Sequence, residues 1–532
     1  MNPLRFVSIL VGMAVLAACS SDNPGDDTKG KHDASGGTGT GGSGTPGAGK
    51  GAGAGMGSGV GGTVANAGTS SNSSGAGGTT ASGGGGAGGT GTGGAGATGG
   101  TPPMGGTGGT GGTGVAGSLA TGGSGVTAGM GAGGSAGAGA AGAPAGGSGG
   151  GGALHWVGTW TASPYLADSS AQPPAALSNS VLRQVTHISI GGSQFRFQFS
   201  NAVGNGSVAI KSAHIALCKA SPAVDGSIDT STDKALAFSG MPNVTLNQGQ
   251  ELWSDPVDFT AAPLSNITIT MQLGSVPSNL TAHAGARTNS YVQANGTDVS
   301  AADLSSSPKG EHWYFISGTD VMAPANAVAV VAIGDSITDG RGTDTDHNNR
   351  WTDVLSARLQ ANEATKWVAM LNQGIGATNL MGTGTAAEAR FARDVLAQSG
   401  VKYAIILDGV NDIGNGHKAT EMEPVYAKLV KAGHDKSVTV YGGTITPFGD
   451  NTGSKGNYYT ADHEKERVAV NAYIKTSAFD GFIDFDAALT DGGSPPKIKA
   501  DLATWAQEDG LHPGPAGYAA MGNAADLTLF TK

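Results

Sequence analysis

Cysteine is nearly absent from this chain of 532 residues, with only Cys19 and Cys218 present. That scarcity excludes a disulfide framework and every cysteine-rich metal site. Charged residues are sparse too, at 13%, and the formal net charge of −11 leaves no basic footprint for nucleic acid. The sequence holds no His-Glu-x-x-His and no glycine loop followed by Lys-Ser or Lys-Thr. Histidines such as His187, His214, His283, His347 and His417 show no metal-ligand spacing, so neither a metal nor a nucleotide cofactor is expected. No obligate protein partner is indicated. Aromatics amount to 6%, a figure that looks odd for a globular protein until the distribution of glycine is considered.

Glycine is what the chain has in excess, with 95 residues. From Ser20 to Gly152 the composition collapses to Gly, Ala, Ser and Thr. Such a segment lacks the apolar surface to offset chain entropy, so it is expected to be a disordered linker. Repeats such as Gly105-Gly106-Thr107-Gly108-Gly109-Thr110 do not sustain a Gly-X-Y period and proline is sparse, which argues against a collagen helix. A flexible coil of that length would span on the order of 60 Å, enough to act as a tether. Ahead of it, Arg5 and the apolar stretch Phe6 to Leu16 read as a secretory signal, too short to span a bilayer. Leu16-Ala17-Ala18-Cys19 closes that stretch and resembles the lipobox of bacterial lipoproteins. The resemblance implies lipidation of Cys19 and membrane attachment through it. With Ser20 and Ser21 following, it further implies an outer-membrane or cell-surface location rather than inner-membrane retention. Cys218 then has no partner within the chain, and its place after Ala213-His214-Ile215-Ala216-Leu217 suggests a small core hydrophobe.

The organisation expected is a signal over residues 1–19, a linker over 20–152, an all-β domain over 153–325 and an α/β domain over 326–532. In the third segment Gln194-Phe195-Arg196-Phe197-Gln198-Phe199 alternates strictly, as does Ile267 to Leu273. Ile188-Ser189-Ile190-Gly191-Gly192 reads as a tight hairpin leading into the first of these. Further short strands near Val208, Val244 and Tyr314 are separated by Gly, Pro and Asn clusters, and a β-sandwich or jelly roll follows. In the fourth segment the apolar runs at 328–333, 368–371, 404–407, 438–441 and 482–485 alternate with helical patterns near 351–359, 386–398, 418–433 and 462–477. Five strands alternating with helices predict a parallel sheet.

Chemistry concentrates at the ends of those strands. Gly334-Asp335-Ser336-Ile337-Thr338-Asp339-Gly340 follows the first strand, where open α/β sheets bind ligands. Asp509-Gly510-Leu511-His512-Pro513 lies far along the chain, and a turn there can bring a carboxylate onto one imidazole nitrogen. A serine hydroxyl needs a histidine to take its proton, and the histidine needs a carboxylate to hold its tautomer. Ser336, His512 and Asp509 are therefore candidates for nucleophile, base and orienter. Thr338 stands where a Gly-x-Ser-x-Gly elbow needs its second glycine, so Ser336 does not sit in that motif. Gly146-Gly147-Ser148-Gly149-Gly150 fits it formally but lies in the glycine tract, a chance match. The bland alternatives are a helix N-cap for Ser336, a loop histidine for His512 and turn formers for Asp509 and Asn411. Asp412 is read as a structural turn residue.

Together with Asn372-Gln373-Gly374-Ile375-Gly376 and Gly409-Val410-Asn411-Asp412, these stretches resemble the four blocks of the SGNH (GDSL) hydrolases, in the usual order. The resemblance covers roughly the last two-fifths of the chain. It implies a flavodoxin-like three-layer α/β/α fold and ester hydrolysis through an acyl-serine. It also implies an oxyanion hole from the backbone N–H of Ser336, one N–H of the second block and the side chain of Asn411. The second-block glycine of the family aligns with Ala377, a departure whose backbone N–H survives as an oxyanion donor where alanine tolerates the dihedral, with Gly376 as an alternative donor. Trp156 to Pro164 and His312-Trp313-Tyr314-Phe315 more loosely resemble the amino-terminal region of secreted bacterial SGNH esterases. The expected substrates are acylated carbohydrates or short-chain esters. The alternatives are a lipase or lysophospholipase and, from another class, an inactive surface carbohydrate-binding module, for which the Ala377 departure is the support.

Overall fold

The computed structural model describes residues 153–219, 224–476 and 478–532. The segments expected as signal and linker, Cys19 and the Gly146–Gly150 match lie outside the described residues.

The apolar run predicted as the first parallel strand forms Val328–Gly334, and beyond its first residue every position is buried. Valine, isoleucine and alanine suit such a strand because both faces meet other layers. Its neighbours are Val368–Gly374 on one side and Val401–Leu407 on the other, followed by Thr439–Gly443 and Phe482–Ile483, all parallel. In chain order this is 2-1-3-4-5, the flavodoxin-like arrangement. The fifth strand is only two residues long, because Asp484 caps a helix that begins at Phe485, inside the run expected as strand. Helices Trp351–Ala361 and Pro515–Ala524 pack together, tied by Arg358 donating to the carbonyls of Gly522 and Ala525. Ala419–His434 and Ala461–Ile474 form the other helix group.

The antiparallel strands all lie between His155 and Ala323 and build a seven-stranded, a five-stranded and a small three-stranded sheet. The expected hairpin at Gly191-Gly192 is not one. Ser180–His187 pairs with Asn266–Leu273 and Ser290–Ala294, whereas Gly192–Ser200 pairs with Ile316–Ala323, Glu251–Trp253 and Val257–Ala261. The chain thus changes sheets at the diglycine. A Cβ on Gly191 would lie 2.3 Å from the carbonyl oxygen of Ala261, so the glycines permit a close backbone crossing instead of a turn. Gly192–Ser200 alternates as predicted, with Phe195, Phe197 and Phe199 inward. Asn266–Leu273 alternates in chemistry but not in exposure, since Thr268 and Thr270 are buried along with the apolar face. Cys218 is half-buried beside a strand end rather than in the core, and desolvation pushes its thiol up to about 12.

One hydrophobic core runs through the antiparallel and parallel regions. They meet along the outer edge of Val368–Gly374. Ser189 Oγ donates to the Met370 carbonyl (3.2 Å) and accepts from its N–H (3.0 Å), while Thr161 Oγ1 donates to the Asn372 carbonyl (3.2 Å). Ser163 Oγ adds a 2.6 Å bond to Gln373 Oε1. Side chains of the β-region therefore satisfy an edge that would otherwise present unpaired backbone groups.

Candidate active site

Ser336 opens a one-turn helix, Ser336–Asp339, immediately after the central parallel strand. Asp335 caps it, its carboxylate accepting from Ile337 N at 2.9 Å. The N-cap role weighed for Ser336 thus belongs to its neighbour, which leaves the serine hydroxyl free for chemistry. Burial raises Asp335 to about 7, helped by the charge of Asp412 and opposed by the Ile337 N–H.

Ser336 Oγ lies 2.7 Å from His512 Nε2, and His512 Nδ1 lies 2.6 Å from Asp509 Oδ2. The other carboxylate oxygen of Asp509 accepts from Leu511 N (2.9 Å) and His512 N (3.0 Å). That turn needs Gly510, whose φ of +67° is left-handed and whose Cβ would meet the Asp450 backbone at 2.4 Å. Burial works to raise Asp509, but the bond and charge of His512 and the two backbone donors bring it down to about 2. An ionised Asp509 can only accept, so the Nδ1 proton stays on the imidazole and Nε2 is the acceptor facing Ser336. His512 is held below the ordinary histidine value by burial, by Arg341 and by Arg287, against the pull of Asp509. A neutral, correctly tautomerised base therefore stands against the serine near neutral pH.

Asn411 begins its approach from the strand on the other side, Val401–Leu407, through the short helix Val410–Gly414. Ser336 and Asn411 thus flank the point where the strand order reverses. Asn411 Nδ2 donates to the Thr378 carbonyl at 2.6 Å, leaving one amide hydrogen, and Oδ1 accepts from Tyr458 OH at 2.7 Å. Among the described residues, the N–H groups of Ser336, Gly376 and Ala377 have no hydrogen-bond acceptor. Gly376 is close to the serine: a Cβ built on it would lie 4.0 Å from Ser336 Cβ. Ala377 adopts φ +60°, the left-handed region where glycine is usual. The alanine therefore keeps the backbone form that the family's glycine would suit. Asp412 is structural, as read: its buried carboxylate accepts from Leu380 N (2.7 Å) and Met381 N (3.1 Å) and so holds the 375–381 loop.

Three participants, His283, Arg287 and Tyr458, escaped the sequence reading. Asp339 is buried, and His283, 56 positions earlier in the β-region, bonds its Oδ1 through Nε2 at 2.9 Å. His283 Nδ1 donates to the Ser163 carbonyl at 2.9 Å, so the β-region braces the far end of the serine helix. Burial opposes ionisation of Asp339, but His283, Arg287 and Arg350 hold its carboxyl below the ordinary range. Arg287 reaches Asp339 Oδ2 at 3.4 Å. Tyr458 is the third. No motif marks any of them, since each acts across a fold contact that spacing cannot reveal. Trp160, Trp313, Tyr314 and Phe315 are buried and belong to the core. Among the described residues, no group of three or more His, Cys, Asp or Glu could hold a metal ion, and no helix is long and apolar enough to cross a membrane. A recess behind Asp339 is lined by residues including Trp160, His283, Trp313 and Arg350, and Ser336 is not among its lining residues.

Residues 332–520 match the model of the GDSL-like Lipase/Acylhydrolase family. Similar solved structures include a member of the lipolytic protein G-D-S-L family from Veillonella parvula, at 20% identity over 39% of this chain and 100% of that one, TM-score 0.28. An acetylxylan esterase from Geobacillus stearothermophilus is 20% identical over 37% of this chain and 91% of its own, TM-score 0.28. A GDSL-like lipase from Bacteroides thetaiotaomicron is 17% identical over 37% and 84%, TM-score 0.27. No curated protein matches the chain. With its parallel sheet and the order of its motifs, the segment 332–520 is a domain of the GDSL-like lipase/acylhydrolase family, whose members hydrolyse carboxylic esters.

Proposed function

We propose that this protein is a serine-dependent ester hydrolase that removes acetyl or other short acyl groups from carbohydrates outside the cell. The observation that carries the mechanism is the relay Ser336 Oγ–His512 Nε2–Asp509, at 2.7 and 2.6 Å. Ser336 Oγ attacks the ester carbonyl carbon while His512 takes its proton. The resulting oxyanion meets the N–H of Ser336, an N–H of Ala377 or Gly376, and the remaining amide hydrogen of Asn411. The C–O bond to the alcohol then breaks, and the alcohol leaves with the proton from His512. Water, activated by the same imidazole, attacks the acyl-serine and releases the carboxylic acid.

Preference for a carbohydrate alcohol rests on the export expected from the signal-like start of the chain. Lipidation at Cys19, with the glycine-rich segment as tether, would place the enzyme at the cell surface. Rates on acetate, butyrate and octanoate p-nitrophenyl esters, with acetate release from acetylated xylan and pectin, test this reading. Fastest turnover of acetate is expected. A strong preference for octanoate would instead favour a lipase or lysophospholipase, and no turnover by folded protein would favour an inactive binding module.

A further inference from the structure

Tyr458 stands outside every motif, yet its hydroxyl can only be a donor to Asn411 Oδ1, at 2.7 Å. Asn411 Nδ2 donates at 2.6 Å to the carbonyl of Thr378, in the loop that carries Gly376 and Ala377. The amide is thus pinned at both ends, and its second Nδ2 hydrogen has one direction to point. Donation into Oδ1 also polarises the amide and strengthens that hydrogen as a donor. The tyrosine ring sits where Gly414 leaves space, for a Cβ there would lie 2.5 Å from it. Gly414 ends the same one-turn helix that carries Asn411.

Tyr458 is itself fixed from the opposite side of the site. Its N–H donates to Asn451 Oδ1 at 2.8 Å, and Tyr459 N donates to the Asn451 carbonyl at 3.1 Å. Asn451 Nδ2 in turn donates to the backbone carbonyl of Asp509 at 2.5 Å and to that of Lys455 at 3.1 Å. A single buried asparagine therefore joins the turn that carries Asp509 to the loop that carries Tyr458. From Asp509 through Asn451 and Tyr458 to Asn411, each link is a direct bond.

We infer that Tyr458 is a positioning residue for the reaction, aiming and polarising the Asn411 amide at the oxyanion, and that Asn451 sets it in register with the Asp509–His512 turn. This rests on the serine mechanism proposed above. Tyr458→Phe keeps the ring over Gly414 and removes only the hydroxyl. It should lower kcat on p-nitrophenyl acetate on the order of tenfold, the effect of one well-placed hydrogen bond, with KM nearly unchanged. Affinity for an alkyl boronic acid, which forms a tetrahedral adduct on an active serine, should fall by a similar factor. In an Asn411→Ala background, Tyr458→Phe should cost nothing further, because its target is gone. A kcat within twofold of wild type, or an equal loss in the Asn411→Ala background, would overturn the inference while leaving the serine mechanism intact. A wild type that does not turn over, or a Ser336→Ala variant that does, would overturn the mechanism and the inference with it.

Discussion

Ala377 offers a clean perturbation, because its methyl is exposed while its backbone sits at φ +60°. Left-handed backbone costs an L-residue about 1–2 kcal/mol, a penalty that glycine escapes. Glycine in turn loses about 0.4–1 kcal/mol through the greater freedom of the unfolded chain. The two terms partly cancel, so Ala377→Gly should stabilise the fold by about 0–1.6 kcal/mol. Its N–H stays in place, and kcat/KM on p-nitrophenyl acetate should remain within roughly threefold of wild type, far below the 10²–10³ that a lost oxyanion donor costs. Ala377→Val is the contrasting change, for a β-branched residue at that φ is a strong outlier. The loop must turn to accommodate it, and a loss on the order of a hundredfold in kcat is expected as the N–H leaves. Thermal unfolding and steady-state kinetics on both variants decide the matter. A Gly variant a hundredfold faster than wild type would show that alanine had cost a donor. A Val variant at full rate would place the second-block donor elsewhere, at Gly376.

Asn411→Ala should reduce kcat by about 10²–10³ in a protein that still unfolds cooperatively; a loss below tenfold would remove Asn411 from the oxyanion hole. Because Arg287 is among the cations that hold His512 below its usual value, Arg287→Met should favour the imidazolium. The acid limb of the kcat/KM profile, expected below about pH 6.5 in the wild type, should move to higher pH, and an unmoved limb would refute the coupling. Asp335 is raised by burial to about 7. Its contribution is therefore present below the ordinary carboxylate range and lost as pH rises through 7. Asp335→Asn keeps a capping oxygen and should flatten the fall of Tm with pH over that window, whereas an unchanged slope would assign it to another group.

What could be read from residues alone was whatever has a local signature. The strand Val328–Gly334 announces itself because a doubly covered strand must be apolar along its length. Ser336, Asn411, Asp509 and His512 announce themselves because strand ends and turns put them in short, recognisable stretches. The misreading at Gly191-Gly192 shows the limit: two glycines serve a tight turn and a close crossing equally well, and only the partner strands distinguish them. His283 bonding Asp339 and Tyr458 bonding Asn411 were invisible for a different reason. Histidine and tyrosine in loops are unremarkable, and these two matter only because packing brings separate elements together. Asp335 illustrates a third case, since the residue type was plain but its capping role depended on where the helix begins.

The central claim is a covalent acyl-enzyme on Ser336, and acid-quenched intact mass measurement during turnover of p-nitrophenyl acetate, followed by peptide mapping, tests it most directly. The account predicts one acetyl group on the peptide containing Ser336, absent from Ser336→Ala, which should also lose turnover. An adduct on another residue, or a Ser336→Ala protein that hydrolyses the ester at the wild-type rate, would contradict it.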